Sequence, residues 1–152
     1  MQIPLIVIVA GFTGFTAQLM KFVVKKFSKR NKDVHNMWSY SGIPSSHTAL
    51  VSGLAVAVGL AEGINSGVFA VTFILGLLII RDALGLRNYV NKSLQDIHHL
   101  VTFLPDAQQK EFEQLHIRVG HTRTEVFAGA VTGLLLGAAY YFLFAWLLGP
   151  VL

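Results

Sequence analysis

The chain has 152 residues, of which 53% are hydrophobic and only 13% are charged. Soluble domains usually carry about 25% charged residues, so the composition excludes an ordinary soluble domain and favours a membrane protein. The absence of cysteine excludes disulfides and thiolate metal sites. A net charge of +4 on so apolar a chain points to membrane topology, and we expect no nucleic-acid partner.

Four apolar stretches, in chain order, predict membrane-spanning helices at about residues 3–21, 45–61, 64–82 and 125–148. The first and last are long enough to cross a hydrocarbon core of about 30 Å, which takes about 20 helical residues. The middle two are shorter, and a run of that length is also typical of a buried or re-entrant helix. The sequence therefore predicts an all-α integral membrane protein, a single membrane domain over residues 1–152 with about four transmembrane helices.

Between the third and fourth stretches, residues 83–119 predict an amphipathic helical arm. Apolar residues recur every three or four positions from Ile79 to Val101, which is the stripe of an amphipathic helix. Pro105 interrupts the stripe, and Asp106 with Gln109 has the spacing of a capping box that opens a second helix. We expect the arm to pack onto the membrane helices or onto a second subunit.

The basic residues predict the orientation of the chain in the membrane. All twelve Lys and Arg residues lie in two segments, residues 21–32 and 81–123, which share one side if four helices span. Positive-inside bias places both segments in the cytoplasm. We therefore predict cytoplasmic motif loops, a cytoplasmic arm and two non-cytoplasmic termini, in a cell membrane or an organellar inner membrane.

The fourth stretch has a glycine every four residues, at Gly129, Gly133 and Gly137. Small residues at this spacing allow two membrane helices to approach closely. The contact is either within the bundle or between protomers. The expected partners are therefore membrane lipid and a homo-oligomer formed through these glycines or through the arm.

The first polar motif, residues 42–47, lies directly before the second stretch and reads Gly-Ile-Pro-Ser-Ser-His. The hydroxyls of Ser45 and Ser46, with the backbone N–H groups of a helix start, form an anion site that the helix dipole assists. His47, in the first turn, is placed to donate a proton to an oxygen that leaves this anion. The alternative is that one of the serines simply caps the helix.

The second polar motif, residues 120–125, lies directly before the fourth stretch and reads Gly-His-Thr-Arg-Thr-Glu. Glu125 follows His121 by four residues, so its carboxylate can orient an imidazole that acts as nucleophile or general base. The alternative is again capping, because Thr122 and Glu125 have the spacing of a capping box. Two Ser/Thr–His helix starts on the basic side suggest a shared phosphate site, in which Arg or Lys stabilises the charge that develops during phosphoryl transfer.

These motifs resemble those of the type-2 phosphatidic acid phosphatase and vanadium haloperoxidase superfamily. Residues 44–47, Pro-Ser-Ser-His, are similar to its P-S-G-H motif, and residues 120–129 are similar to its last motif, a histidine and an acid four residues later that lead into V-L-A-G. With Gln18, Lys21 and segment 81–87, the pattern over roughly residues 18–133 resembles the small divergent branch labelled acid phosphatase/vanadium-dependent haloperoxidase-related membrane protein.

The resemblance implies a phosphatase that works through a phosphohistidine without a metal or other cofactor. His121 would attack phosphorus, Glu125 would hold its far ring nitrogen, and His47 would protonate the leaving oxygen. Ser45, with Ser46 beside it, would bind phosphate oxygens. The remaining candidates are the basic residues and their supporting neighbours, namely Lys21, Arg87, Arg118, Arg123, Gln18 and Asp82.

The chain departs from the superfamily pattern at several positions. The first motif, a lysine seven residues before an Arg-Pro pair, has no match, and Leu115 stands where the last motif has an arginine. Ser46 replaces a glycine and Glu125 replaces an aspartate. We expect Lys21 and Arg87 to be the best substitutes for the missing charge, because they flank predicted spans.

Three functions are compatible with these features. The first is a membrane phosphatase that hydrolyses a lipid-like or small phosphate monoester at the cytoplasmic face. The second is a non-catalytic phosphate- or phospholipid-binding protein or carrier that has lost part of the catalytic site. The third is a structural or assembly protein that uses the glycine-spaced helix and the arm. Of the other histidines, His98 and His99 with Asp96 are a weak candidate for a metal site, and His35 and His116 are expected at the surface.

Overall fold

The computed structural model describes residues 3–27, 42–105 and 122–149, and every regular element within these ranges is a helix. The helices are α1 (Ile3–Phe27), α2 (Ser46–Glu62), α3 (Gly67–Leu84), α4 (Leu86–Val101) and α5 (Arg123–Leu148). Helices α1, α3 and α5 are long and apolar enough to cross a membrane, and α2 is a shorter apolar helix. The predicted all-α membrane fold is confirmed.

Side-chain caps determine where three of the helices begin. Ser45, Ser66 and Thr122 each accept a hydrogen bond from the backbone N–H three residues further on, which is the geometry of an N-cap. The cap at Ser66 starts α3 at Gly67, three residues later than the predicted residue 64. The cap at Thr122 starts α5 two residues earlier than the predicted residue 125.

The lengths of α1 and α2 also differ from the lengths of the apolar stretches. α1 continues to Phe27, six residues beyond the predicted end, and has Lys25 and Lys26 in its last turn, where cations interact favourably with the helix dipole. α2 has 17 residues, which corresponds to a length of about 26 Å. This is slightly less than a hydrocarbon core of about 30 Å, so complete spanning by α2 stays a prediction.

Helices α1, α2 and α5 form the centre of the bundle. α2 runs antiparallel to α1, because Leu50 lies against Gly14 near the middle of α1 and the end of α2 packs on the start of α1 around Val9. α3 returns antiparallel to α2, with Phe69 against Gly59. α3 packs mainly on α2 and leaves most of its own apolar side chains exposed at the edge of the bundle.

The glycine repeat of α5 packs on a face of small residues of α2. The contacting pairs are Gly129 with Ser45, Gly133 with Ala49, and Gly137 with Gly53. A Cβ atom on Gly129 would lie 2.5 Å from the carbonyl oxygen of Ser45, and one on Gly137 would lie 2.8 Å from the Cα atom of Gly53. The close helix approach predicted from the glycine spacing therefore takes place within the chain, between parallel helices. Homo-oligomerisation through these glycines or the arm stays a prediction.

The two ends of the bundle differ in polarity. At one end, Leu5, Ile6, Val9, Ala57 and Val58 form an apolar core to which aromatic side chains of α5 add. At the other end lie buried polar and charged side chains from three helices, Lys21, Ser45, Thr48 and Glu125. We call this second end the motif end, because both polar motifs predicted from the sequence belong to it.

Candidate functional site

Ser45 joins the start of α2 to the start of α5. Its backbone N–H donates a hydrogen bond of 3.0 Å to the carbonyl oxygen of Glu125. Its Oγ accepts hydrogen bonds from the Oγ1 and the backbone N–H of Thr48, at 3.0 and 3.4 Å. Since Ser45 is fully buried at 0% exposure, these contacts fix the two motifs side by side at the motif end.

The capping interpretation of Ser45 is confirmed, and it changes which groups can hold an anion. The N–H of Ser45 is already bonded to Glu125, so it is not available to a phosphate oxygen. The first turn of an α-helix has N–H groups that no intrahelical carbonyl can reach, and in α2 this turn begins at Ser46. Ser46 is half-buried and His47 is exposed. Ser46 and His47 therefore lie on the outer side of the first turn of α2, whereas Thr48 and Ala49 in the same turn are buried.

Glu125 forms the reciprocal half of a capping box. Its Oε2 accepts a hydrogen bond of 3.0 Å from the backbone N–H of Thr122, and the Oγ1 of Thr122 accepts one of 3.2 Å from the backbone N–H of Glu125. The carboxylate is buried, at 6% exposure. The capping role is thus confirmed. His121 lies outside the described residues, so the orientation of its imidazole by Glu125 stays a prediction.

Lys21 lies beneath the loop that leads into the first motif. Its side chain is 3% exposed, and a Cβ atom on Gly42 would lie 3.0 Å from its Cγ and 3.3 Å from its Cδ. Gly42 has a φ of +138°, which L side chains rarely adopt. Burial of an ammonium group costs free energy unless the group is paired. The fold holds this cation at a defined position at the motif end. Gln18, half-buried, lies three residues earlier on α1, where side chains are neighbours.

Three other predicted site residues belong to helices that reach this end, by the positions of their backbones. Arg123 is exposed in the first residue of α5, and Asp82 is half-buried near the end of α3 that lies at the motif end. Arg87 belongs to the first turn of α4. Arg118 lies outside the described residues, as do His35 and His116.

The candidate metal site on the arm finds no support in the structure. Among the described residues, no group of three or more His, Asp or Glu side chains is arranged to hold a metal ion. Asp96, His98 and His99 are all exposed on α4. Their proximity in sequence therefore does not produce a ligand cluster.

Sequence reasoning missed part of what builds the site. Thr48 is buried at 1% exposure and bonds to Ser45 through both its N–H and its hydroxyl. The packing of α5 on one face of α2 was also not predicted, although small residues recur every four positions along that face. They are Ser45, Ala49, Gly53 and Ala57, all buried. This spacing is the same signal that the glycines of α5 carry, and it could have identified α2 as their partner.

The electrostatic character of the motif end follows from this packing. α2 and α5 are parallel, and their N-termini are joined by the hydrogen bond from Ser45 to Glu125. Each helix N-terminus carries a partial positive charge of about half a unit, and the buried ammonium of Lys21 and the exposed guanidinium of Arg123 belong to the same end. The buried carboxylate of Glu125 is the negative group at this end, and the positive groups around it can interact with an anion that has several oxygens, such as a phosphate group.

Comparison with known proteins confirms the family resemblance. A sequence model described as the Divergent PAP2 family matches residues 4–136, a range that contains both motifs. The uncharacterized membrane protein YuiD of Bacillus subtilis (strain 168) is 33% identical over 140 residues, which cover 84% of this chain and 89% of the relative. No solved structure matches the chain.

Proposed function

The chain is a membrane protein of the Divergent PAP2 family, and from this membership we propose that it hydrolyses a lipid-like or small phosphate monoester through a phosphohistidine. One observation carries the proposal. The hydrogen bond from the N–H of Ser45 to the carbonyl of Glu125 holds the helix starts that follow the two histidine motifs side by side. Such fixed proximity is what a two-histidine reaction requires.

In the first proposed step, a ring nitrogen of His121 attacks phosphorus and forms a P–N bond while the ester P–O bond breaks. His47, in its protonated form, donates its proton to the leaving oxygen, which departs as an alcohol. Positive charge from the helix starts, Lys21 and Arg123 stabilises the phosphoryl oxygens as charge develops. The carboxylate of Glu125 supports positive charge on His121.

In the second step, water attacks the phosphorus of the phosphohistidine. His47 is now neutral and accepts a proton from this water, as general acid and base exchange roles between the two halves of the reaction. The P–N bond breaks, inorganic phosphate leaves, and His121 returns to its starting state. The substrate is presented at the motif end, which we propose to lie on the cytoplasmic side of the membrane.

The proposal is tested with the purified full chain in nanodiscs. Phosphate release is measured from phosphatidic acid and from p-nitrophenyl phosphate, and a radiolabelled phosphoenzyme is sought after rapid quenching. We expect His121→Ala to abolish both turnover and phosphoenzyme. We expect His47→Ala to slow turnover by about 10²–10⁴-fold, the usual contribution of a general acid–base group.

His98→Ala is the matched control, because His98 is exposed on α4 and belongs to neither motif. It is expected to retain wild-type turnover. The proposal fails if the wild-type chain releases no phosphate from either substrate. It also fails if His121→Ala is indistinguishable from the wild type.

A second function, a phosphate- or phospholipid-binding protein without turnover, is favoured by a different observation. The N–H of Ser45 is used within the protein, and Leu115 occupies the position of a family arginine, so fewer donors are left for the charge of a transition state. This function predicts saturable phospholipid binding that is weakened by His47→Ala. It also predicts no phosphate release by any variant.

A further inference from the structure

α4 presents exposed apolar side chains along one side. Val90, Ile97 and Leu100 are 49%, 43% and 66% exposed, and Tyr89 and Phe103 are 75% and 74% exposed. At about 100° per residue, the four of these residues that lie within the helix occupy an arc of about 100°, which also includes the small exposed side chain of Ser93. The opposite arc is polar and exposed, and consists of Lys92, Gln95, His98 and His99.

The apolar arc has a second flank that faces the protein. Leu94 is half-buried and Val101 is buried, and both lie at the edge of the arc away from Tyr89. The shielding of these two residues shows that the rest of the protein covers one flank of α4. Tyr89, Val90, Ile97 and Leu100 therefore lie on the side of α4 that the rest of the protein leaves uncovered.

The position of α4 along the chain places its start next to the end of a membrane helix. A single residue, Gly85, separates α3 from α4, and α3 has 18 residues, or about 27 Å of helix for a core of about 30 Å. The N–H of Gly85 donates to the carbonyl of Arg81 at 2.7 Å, and the N–H of Tyr89 donates to the carbonyl of Gly85 at 3.1 Å. Backbone hydrogen bonds thus tie the start of α4 to the end of a membrane helix.

The apolar surface of α3 leads to that of α4. α3 exposes Val71, Ile74, Leu75 and Leu78 at the edge of the bundle, where lipid chains are the natural environment of a membrane helix. Tyr89 and Val90 follow Leu78 by about three helical turns along the chain, so the exposed apolar side chains of α4 begin soon after those of α3 end.

We propose that α4 is an interfacial helix whose Tyr89, Val90, Ile97 and Leu100 insert into the boundary between lipid headgroups and acyl chains. Helices that combine an apolar face with a polar face and little overall hydrophobicity bind in this way, to a depth of about 5–10 Å. Aromatic side chains such as Tyr89 favour this zone. The occupant of the exposed face is thus the lipid of the adjoining leaflet. The inference does not depend on catalysis.

The chain contains no cysteine, so single cysteines for nitroxide spin labels can be introduced without further changes. Leu100→Cys and Ile97→Cys report on the apolar arc, and Gln95→Cys and His99→Cys are the matched controls on the polar arc. Collision rates with oxygen, which concentrates in lipid, and with a water-soluble nickel chelate are measured for the full chain in lipid nanodiscs. We expect the oxygen-to-nickel ratio to be severalfold higher at Leu100 and Ile97 than at Gln95 and His99.

Two outcomes overturn the proposal. Equal ratios on the two arcs would place α4 in water, and low collision rates with both reagents at positions 97 and 100 would show that protein covers them, from the bundle or from a second copy. Val90→Cys with Lys92→Cys forms an independent pair on the same two arcs. The collision rates of this pair test the proposal if a variant of the first set does not fold.

Discussion

At the scale of single residues, Glu125 combines two roles that require different properties of one side chain. Capping requires an oxygen that accepts the N–H of Thr122, at the observed 3.0 Å. Support of a positively charged imidazole requires the negative charge. Glutamine has the oxygen but not the charge, so the two roles can be separated by one substitution.

We predict that Glu125→Gln leaves the stability of the protein nearly unchanged and lowers its phosphatase activity. Thr122→Ala is the counterpart, because it removes the cap and is expected to cost about 0.5–2 kcal/mol while it leaves the carboxylate charged. Thermal unfolding in detergent and phosphate release are the two measurements. Wild-type turnover in Glu125→Gln would restrict Glu125 to a structural role.

Gly42 and Gly63 provide a second test at this scale, directed at Lys21. Both glycines have positive φ, +138° and +85°, so alanine strains the backbone at either position, by about 1–3 kcal/mol. A Cβ at position 42 would press on the stem of Lys21 at 3.0 Å, whereas one at position 63 meets no atom within 4 Å. We predict that Gly42→Ala lowers kcat/KM and that Gly63→Ala, which strains the backbone without a new side-chain contact, does not. Equal activity in the two variants would exclude a role for the position of Lys21.

At the scale of helices, the contact between α2 and α5 depends on the absence of side chains. A Cβ on Gly133 would lie 2.7 Å from the Cβ of Ser52 and 2.8 Å from the Cα of Ala49. Ala49 lies about one helical turn from Ser45, whose N–H bonds to Glu125. We therefore expect a change in the packing of the two helices to alter the geometry of the motif end.

We predict that Gly133→Ala destabilises the protein by about 1–3 kcal/mol, the usual cost of overpacking, and also reduces activity. Gly11→Ala is the control, because position 11 is helical, exposed and open for 4 Å around a new Cβ. The control is expected to be neutral or slightly stabilising, since alanine is the better helix former. The melting temperature in detergent measures both effects. A Gly133→Ala variant as stable as Gly11→Ala would contradict the packing.

The sequence predicted where the helices lie along the chain better than it predicted which helices pack against each other. Apolar length and glycine spacing indicated the helices and the close approach of α5, because both depend on local periodicity. The identity of the partner helix, and the bond from Ser45 to Glu125, depend on residues about 80 positions apart, which no local pattern specifies. The buried position of Lys21 was unpredictable for the same reason, although its relevance to the site was expected from the resemblance.

At the scale of the whole molecule, the bundle makes the sidedness of the motifs testable. Thr124, in the first turn of α5, and Asn65, in the turn between α2 and α3, are both exposed and lie toward opposite ends. We predict that a membrane-impermeant maleimide applied to intact cells labels Asn65→Cys but not Thr124→Cys. Permeabilised cells, the control, should show labelling of both variants. Labelling of Thr124→Cys in intact cells would reverse the predicted orientation.

The bond between Ser45 and Glu125 has a consequence for the response to bilayer thickness. A change of tilt is one way in which membrane helices adapt to thicker or thinner bilayers. α2 and α5 are joined at the motif end and remain in backbone contact as far as Gly137, so we expect them to tilt together. The distance between the two helix starts is therefore preserved when lipid chains lengthen or shorten, and we expect the motif end to keep its geometry in membranes of different composition.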